Sequence, residues 1–365
     1  MAVKKSSNHV IKNIDDEDWK VFMQNMKLHN GQFPDRKVTM RTFFKLLNNY
    51  SPMVRSLMTL DPGDTPIQQL GVNTALHLAP MWTKNIASNI DRIKKEHDLR
   101  ELKGIHKGKT AIIIGGGPSL YDNASKTNHL ELIAEYKDRF DGIIIVVNRV
   151  LEPCLKLDIG DYLCVVDGSE IIYQFFDNDT VRNYTGDMEG IIATCTHKKV
   201  VDAWKNRTYF FVPSIPAEIL PNATSLMCDF SDSTDINAGG NCGILAWNLA
   251  AWMGCKEIAI VGMDLAYKVT TPMNELQSYP LHVNALGEDK AHEGYTVGKH
   301  PYFKTPFRTD EIYKAFRDTA MVWFKAFKER GTCTTYNCTE GGSIYGEGIE
   351  YMYLKEFLES RCRKG

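Results

Sequence analysis

The sequence has no apolar run of membrane length. No stretch approaches the roughly 18 consecutive apolar residues that a membrane-spanning helix needs. The N-terminus, MAVKKSSNHVIKNIDDEDWK, also lacks the apolar core of a secretory signal peptide. These absences argue against a membrane protein and against a secreted one, and we expect a cytoplasmic protein with no transmembrane segment.

The sequence also has almost no net charge and no closely spaced pair of cysteines of the C-x-x-C type. The formal charge is −2 over 365 residues, so nothing favours bulk attraction to nucleic acid or anionic lipid, and we expect no nucleic-acid partner. None of the nine cysteines forms a C-x-x-C pair, which argues against a zinc knuckle or a thioredoxin-type site. We expect reduced, buried thiols, and the oligomeric state stays open.

Two regions follow different patterns. Residues 1–105 contain helix-like spacing, for example Ile86, Ile90 and Ile93, and no convincing strand. From 106 to 365, short β-branched runs alternate with amphipathic stretches, which is typical of a parallel sheet covered by helices. We therefore predict an α/β fold: a Rossmann-like, mostly parallel sheet flanked by helices and preceded by a helical N-terminal region. The candidate strands are AIII (111–114), GIIIVV (142–147), YLCVV (162–166), GIIATC (190–195), YFFV (209–212), EIAIVG (257–262) and TCTTY (332–336).

The stretch AIIIGGGPSL (111–120) combines a buried strand with a glycine loop. The dinucleotide fingerprint needs G-x-G-x-x-G and an acid about 20 residues further on. Here Leu120 takes the third glycine position and the next strand ends at Asn148, so we expect no NAD. A P-loop is also disfavoured because no lysine follows the glycines.

What remains is a glycine turn with Pro118 and Ser119 at the start of a predicted helix. Proline suits a first helical position because its missing N–H would be unpaired there. Free backbone N–H groups, the positive end of a helix and a serine hydroxyl favour an anion. The predicted nucleotide-binding residues of this loop are Gly115, Gly116, Gly117, Pro118 and Ser119.

A second stretch, NAGGNCGILAWNLAAWMGCKEIAIVGMDLAY, repeats the order of glycine loop, helix and strand. Gly240, Asn241 and Gly243 form its loop, and the strand ends near Asp264 and Tyr267. Ligands of parallel sheets bind beyond the carboxyl ends of the strands. We therefore predict that the loop residues Gly240, Asn241 and Gly243 line a nucleotide site together with Asn148 and Asp167, which follow other strands. Asp264 alone fits a loop-bracing carboxylate as well as it fits catalysis.

Three ordered motifs together resemble the MptE-like family. They are GKTAIIIGGGPSL, GGNCGILAWNLAAWMGCKEIAIVGMDLAY and NCTEGGSIYGEGIEYMYLKEFLE, and the resemblance spans about residues 75–360. That family includes a 6-hydroxymethyl-7,8-dihydropterin diphosphokinase and the bacterial motility accessory factors, which look like flagellin glycosyltransferases. The resemblance implies a nucleotide-dependent transferase.

A more distant similarity links the chain to bacterial sialyltransferases that use CMP-sialic acid. It rests on Gly117–Leu120, Asn148, Asn241–Gly243 and the Gly262–Tyr267 strand end. The similarity implies that the loops bind the nucleotide, that Tyr267 stabilises the departing phosphate, and that a histidine is the general base. The base position of that family falls near Thr305, so the candidates are His300, five residues upstream, and His292. An exposed loop histidine without a catalytic role fits these positions as well.

Three functions stay open at this point. The favoured one is transfer of a nonulosonic sugar from a CMP donor to a hydroxyl of a glycan, protein or small-molecule acceptor, which needs no metal. The second is pterin diphosphokinase activity with ATP and Mg²⁺, for which Asp167, Glu170 and Asp264 are the candidate metal ligands. The third is a nucleotide-binding module without catalysis. Segment 268–308 is expected to be a long loop that shapes the acceptor site.

Overall fold

The computed structural model describes residues 81–215 and 223–362. They divide into two units, each assembled from segments that are separate in sequence. The first unit comprises residues 81–101, 165–174 and 189–238, apart from 216–222, and the second comprises 102–164, 175–188 and 239–362. The predicted helical region lies mostly before residue 81, outside the described residues, so the division into 1–105 and 106–365 stays a prediction. Residues 81–101, however, group with later segments in the first unit.

The described residues contain strands β1 to β12. In chain order these are β1 (His97–Asp98), β2 (Thr110–Ile114), β3 (Gly142–Val147), β4 (Tyr162–Val165), β5 (Glu189–Ala193), β6 (Thr208–Pro213), β7 (Asp235–Ile236), β8 (Glu257–Val261), β9 (Tyr295–Lys299), β10 (Pro306–Asp310), β11 (Thr334–Asn337) and β12 (Ile349–Tyr351).

The same residues contain ten α-helices. They are α1 (81–93), α2 (His129–Tyr136), α3 (Leu151–Lys156), α4 (Asp179–Arg182), α5 (Lys198–Ala203), α6 (Ala223–Ser231), α7 (Cys242–Trp252), α8 (Tyr279–Leu286), α9 (Glu311–Glu329) and α10 (Leu354–Arg361). Across the described ranges, no helix has both the length and the apolar character that crossing a bilayer requires.

The first unit is a small parallel sheet joined to helix α1. Strands β1, β6 and β5 are neighbours in that order, and β7 also pairs with β6. The predicted apolar spacing of α1 is confirmed, because Ile86, Ile90 and Ile93 are buried. Asn89, one turn after Asn85, donates from its amide to the backbone carbonyls of Thr194 and Thr196 just beyond β5, at 3.2 and 2.7 Å. These hydrogen bonds fix α1 at the carboxyl end of β5.

The second unit contains a six-stranded parallel sheet in the order β4, β3, β2, β8, β11, β12. Its central strand β2 is buried at all five positions, as expected for a strand covered on both faces. The carboxyl ends of β2, β8 and β11 lie side by side, since β2 and β11 both pair with β8. The loops that follow these three strands therefore meet at one edge.

Helix α7 forms the main cover of this sheet. It contacts β2, β3 and β8, and most of its side chains are buried, which explains why the sequence there is apolar on every face. The indole N–H of Trp247 donates to the Thr335 hydroxyl at 2.9 Å. The same indole ring packs against Phe324 and Phe327 of α9, with ring centroids 4.8 and 5.0 Å apart. Helix α9 therefore packs on α7.

The predicted α/β class is confirmed, and all seven predicted strands are present, with ends shifted by at most two residues. The sequence patterns missed β1, β7, β9, β10 and β12, which are short or lack β-branched apolar runs. Segment 268–308 was expected to be a long loop, and that expectation was wrong. It contains helix α8, two 3₁₀ turns, strand β9 and most of β10, which pairs with β9 in an antiparallel hairpin.

Candidate functional site

The loops after β2, β8 and β11 are joined by backbone hydrogen bonds. The N–H groups of Gly115 and Gly117 donate to the carbonyls of Val261 and Gly262, both at 2.8 Å, and Ser343 donates to the carbonyl of Asp264, also at 2.8 Å. The centre of the sheet edge is thus a braced structure in which each loop supports the next.

Asp264 holds the first glycine loop in place. Its Oδ2 accepts a hydrogen bond from the Ser119 hydroxyl at 2.8 Å and a longer one from the Ser119 N–H at 3.4 Å. A Cβ on Gly117 would lie 1.9 Å from the same oxygen, so only glycine allows this approach. Asp264 is 6% exposed, and burial raises the pKa of its carboxyl to about 7. Of the two roles left open for Asp264, the geometry supports the bracing carboxylate over catalysis.

The predicted anion pocket at Pro118 and Ser119 is not formed in the way we expected. The residues after the glycines make a 3₁₀ turn of three residues, Pro118–Leu120, instead of a helix. The Ser119 hydroxyl and N–H point to Asp264, so they are unavailable to a ligand in this arrangement. Within the described ranges, the Gly116 N–H has no hydrogen-bond partner, and it is the loop donor left for an anion.

The structure brings the two predicted glycine loops together at Met263. A Cβ on Gly115 would lie 2.9 Å from Cγ of Met263, and one on Gly243 would lie 3.3 Å from its Cε. Asn241 caps α7, because its Oδ1 accepts from the Ile244 N–H at 3.0 Å. Its Nδ2 is buried and makes no hydrogen bond to any described residue. A buried amide donor without a partner is rare, and this one stands at the start of an eleven-residue helix.

The neighbouring strand β3 adds Asn148 and Arg149 to this edge. Asn148 is buried, and its side chain hydrogen-bonds to none of the described residues. Arg149 is exposed, and the stem of its side chain lies against Gly116: a Cβ on Gly116 would be 2.5 Å from Cδ of Arg149. Arg149 was not among the predicted site residues, although its position directly after a strand was a usable signal.

Tyr267 belongs to a polar cluster beside the loops. Its hydroxyl lies 3.1 Å from Oγ of Ser278 and 3.2 Å from Oδ2 of Asp310, and its single proton can be donated to either. Its ring packs against Tyr313 with centroids 4.8 Å apart, and burial raises the pKa of the Tyr267 phenol. Asp310 is also the N-cap of α9, because its Oδ1 accepts from the Tyr313 N–H at 2.8 Å. Asp310 is thus both the last residue of β10 and the cap of the helix that follows.

His300 does not have the geometry of a general base. Its side chain is fully buried, and Nδ1 accepts from the N–H groups of Tyr302 and Phe303 at 3.2 and 3.1 Å. Nε2 lies 3.2 Å from the carbonyl of Ile344 and donates to it. Burial lowers the pKa of the imidazole to about 4. With both nitrogens engaged by the backbone, His300 is a packing residue, so it is neither the predicted general base nor the exposed loop histidine offered as the alternative. His292 is exposed in the 3₁₀ turn Glu288–Gly294.

The two other predicted acids lie in the first unit and have partners of their own. Asp167 Oδ1 accepts from the Ser169 N–H at 2.8 Å, and Glu170 forms an ion pair with Lys199. With Asp264 engaged by Ser119, each of the three candidate metal ligands is already bound by a protein donor. In the part of the chain that the structure describes, no group of three metal-binding side chains is assembled. The predicted Mg²⁺ ligands Asp167, Glu170 and Asp264 are therefore not assembled into one site among the described residues.

Comparison with known proteins identifies the family. The family model described as 6-hydroxymethylpterin diphosphokinase MptE-like matches residues 84–270, just over half of the chain. The chain belongs to the MptE-like family. The resemblance inferred from the first two glycine motifs is thereby confirmed, and the third motif lies beyond the matched residues. No curated protein matches the chain.

One similar solved structure is a glycosyltransferase described as "MAf" from Magnetospirillum magneticum AMB-1. It shares 13% sequence identity and has a TM-score of 0.47. The alignment covers 81% of this MptE-like chain and 44% of the other chain, so this chain spans less than half of that protein.

Proposed function

We propose that the second unit binds a nucleotide between its two glycine loops and is a nucleotide-dependent transferase. The favoured reaction is glycosyl transfer, in which a nonulosonic sugar moves from a CMP donor to an acceptor hydroxyl. The observation that carries this proposal is the meeting of the loops at Met263, on the edge of the sheet where ligands of parallel sheets bind.

The donors at this edge suit a phosphate group. The Gly116 N–H and the Asn241 Nδ2 are both without a protein acceptor among the described residues. Asn241 also stands at the N-terminus of α7, where the helix dipole favours negative charge. Hydrogen bonds from such donors to an ionised phosphate are stronger than bonds between neutral groups.

The engaged acids favour glycosyl transfer over diphosphokinase activity. Pyrophosphoryl transfer from ATP relies on metal ions that are held by carboxylates and phosphates. Asp167, Glu170 and Asp264 each satisfy a protein donor instead. A CMP leaving group departs without a metal, so the glycosyl reaction does not need these acids as metal ligands. The family's description keeps the diphosphokinase as the second candidate.

In this proposal, Asp264 and Ser119 shape the loop, and Tyr267 lies beside it. Ser278 and Asp310 orient the Tyr267 hydroxyl. That hydroxyl would have to leave one of these partners to donate to the departing phosphate. His300 has no part in proton transfer here, because its lone pair is already used by two backbone N–H groups.

Thermal unfolding with a panel of ligands tests the proposal. A ligand that binds only the folded protein stabilises it by about 2.7 kcal/mol at about 100 times its dissociation constant. We expect stabilisation by CMP, none by NAD, and release of CMP from a CMP-activated nonulosonic acid when an acceptor is present. Stabilisation by ATP with Mg²⁺ but not by CMP would support the diphosphokinase. CMP binding without any CMP release would indicate a module that has no catalysis.

A further inference from the structure

Arg149 lies across the first glycine loop. It follows β3, the neighbour of β2 in the sheet, and its side-chain stem covers Gly116. A Cβ on Gly116 would lie 2.5, 2.8 and 2.9 Å from Cδ, Cγ and Cβ of Arg149. Any other residue at 116 would displace the arginine, so the glycine is required by this close approach.

Among the described residues, no acid balances the charge of Arg149. Six other arginines of the described residues lie within ion-pair distance of a carboxylate: Arg92, Arg100, Arg182, Arg207, Arg317 and Arg361. Arg149 has no such partner within the same ranges. Its guanidinium reaches Oε1 of Gln277 at 3.5 Å and lies 6.0 Å from the ring centroid of Phe175. Both contacts are weak, and the side chain is exposed.

Two further features place this cation at the proposed nucleotide site. The N–H of Gly116, the residue against which the arginine stem lies, has no partner in the described part of the chain. The phenol of Tyr313, which packs on Tyr267, is close enough for the Arg149 charge to act on it: burial raises the Tyr313 pKa, and the arginine opposes that rise. The arginine stem therefore lies against the glycine loop, and its charge also acts on one phenol of the tyrosine pair.

We propose that Arg149 binds the phosphate of the nucleotide, with the Gly116 N–H as its neighbouring donor. This inference rests on the proposed function and adds a residue that determines phosphate recognition there. A guanidinium offers several N–H donors in a fixed fork that matches phosphate oxygens, and its charge is permanent. The chain thus uses an arginine from the adjacent strand where a P-loop would use a lysine after its glycines.

The test measures CMP and cytidine binding by calorimetry, because the two ligands differ only in the phosphate. We expect Arg149→Gln to weaken CMP binding by about tenfold or more, typical of losing a charged hydrogen bond, and to leave cytidine binding unchanged. Arg149→Lys, which keeps the charge without the fork, should fall between. Wild-type affinity for CMP should also fall more steeply with salt than that of Arg149→Gln.

Arg139→Gln is the matched control. Arg139 is an exposed arginine of the same unit that lies over the Tyr136 ring, 4.8 Å from its centroid, and its loss should not change CMP binding. Equal CMP affinity in wild type and Arg149→Gln would overturn this inference while leaving the nucleotide site intact. An equal loss for CMP and cytidine would also overturn it, because the arginine would then recognise the nucleoside. Absence of CMP binding in wild type would instead refute the proposed function.

Discussion

The two glycine loops of the second unit need their glycines for different physical reasons. In the loop at 115–117 no residue has a positive φ, and the glycines are required because Asp264, Met263 and Arg149 approach too closely for a Cβ. In the loop at 239–243, Gly239 and Gly240 have φ values of +62° and +91°, a region that other residues enter at a cost.

The two loops also differ in which of their hydrogen-bond donors are used within the protein. In the first loop, Gly115, Gly117 and Ser119 donate hydrogen bonds to other parts of the protein. The second has left-handed backbone just before α7, and the Nδ2 of Asn241 has no partner among the residues that the structure describes. Glycine-rich sequence alone therefore does not say which loop donates to a ligand.

The largest effect is expected from Gly117→Ala. The added Cβ would lie 1.9 Å from Oδ2 of Asp264 and 2.7 Å from the carbonyl oxygen of Gly262, so the buried loop must shift. Overpacking of this kind costs about 3 kcal/mol, and we expect a loss of that order in the free energy of unfolding by urea. If the variant were as stable as wild type, the loop would not be braced by Asp264.

The second prediction concerns pH. The pKa of Asp264 is raised to about 7 in the folded protein, above about 3.9 for an unfolded aspartate. Between these values the folded state binds more protons, so the contribution of Asp264 to stability is lost as pH rises. We expect the unfolding free energy of wild type relative to Asp264→Asn to fall by about 2 kcal/mol between roughly pH 5 and pH 7.

Asp264→Asn is the suitable reference because its amide oxygen can still accept from Ser119 and the side chain no longer titrates. Urea unfolding of both proteins at each pH gives the difference. If the difference stayed constant over this range, the carboxyl would ionise as it does in water. The claim that burial raises the pKa of Asp264 would then be wrong.

The smallest of these effects is expected from Gly240→Ala. Its φ of +91° disfavours alanine, and the new Cβ would lie 2.6 Å from Cε1 of Phe316, the outer part of a ring that can move. We expect a loss of roughly 1 to 2 kcal/mol from backbone strain, again in urea unfolding. A larger loss than for Gly117→Ala would reverse the comparison between the loops.

Much of the fold was predictable from local sequence. The β-branched runs identified β2, β3, β4, β5, β6, β8 and β11, because a parallel sheet covered by helices requires continuous apolar segments. The glycine loops were also located correctly, since glycine after a buried strand marks a tight connection. The short strands β1, β7 and β12 and the two strands of the antiparallel hairpin, β9 and β10, carry no such run and were missed.

The contacts within the site were much harder to predict. His300 lies in the polar-looking stretch GKHPYFKTPF, yet Phe303 and, from a distant segment, Tyr345 and Tyr351 pack around its ring. Its burial therefore depends on tertiary contacts that spacing does not reveal. The same holds for Arg149, because its lack of an acidic partner among the described residues is visible only in the folded chain.

Titration with CMP tests the central claim most directly, using wild type, Asn241→Asp and Asn128→Asp. Aspartate caps helices as well as asparagine does, so the first variant keeps the cap of α7 while losing the Nδ2 donor and adding negative charge. Asn128 caps α2 in the same way, accepting from Leu130 and Glu131, and is the matched control. The account predicts CMP binding that weakens by about tenfold or more in Asn241→Asp and is unchanged in Asn128→Asp. Equal affinity in all three proteins, or no binding by wild type, would contradict it.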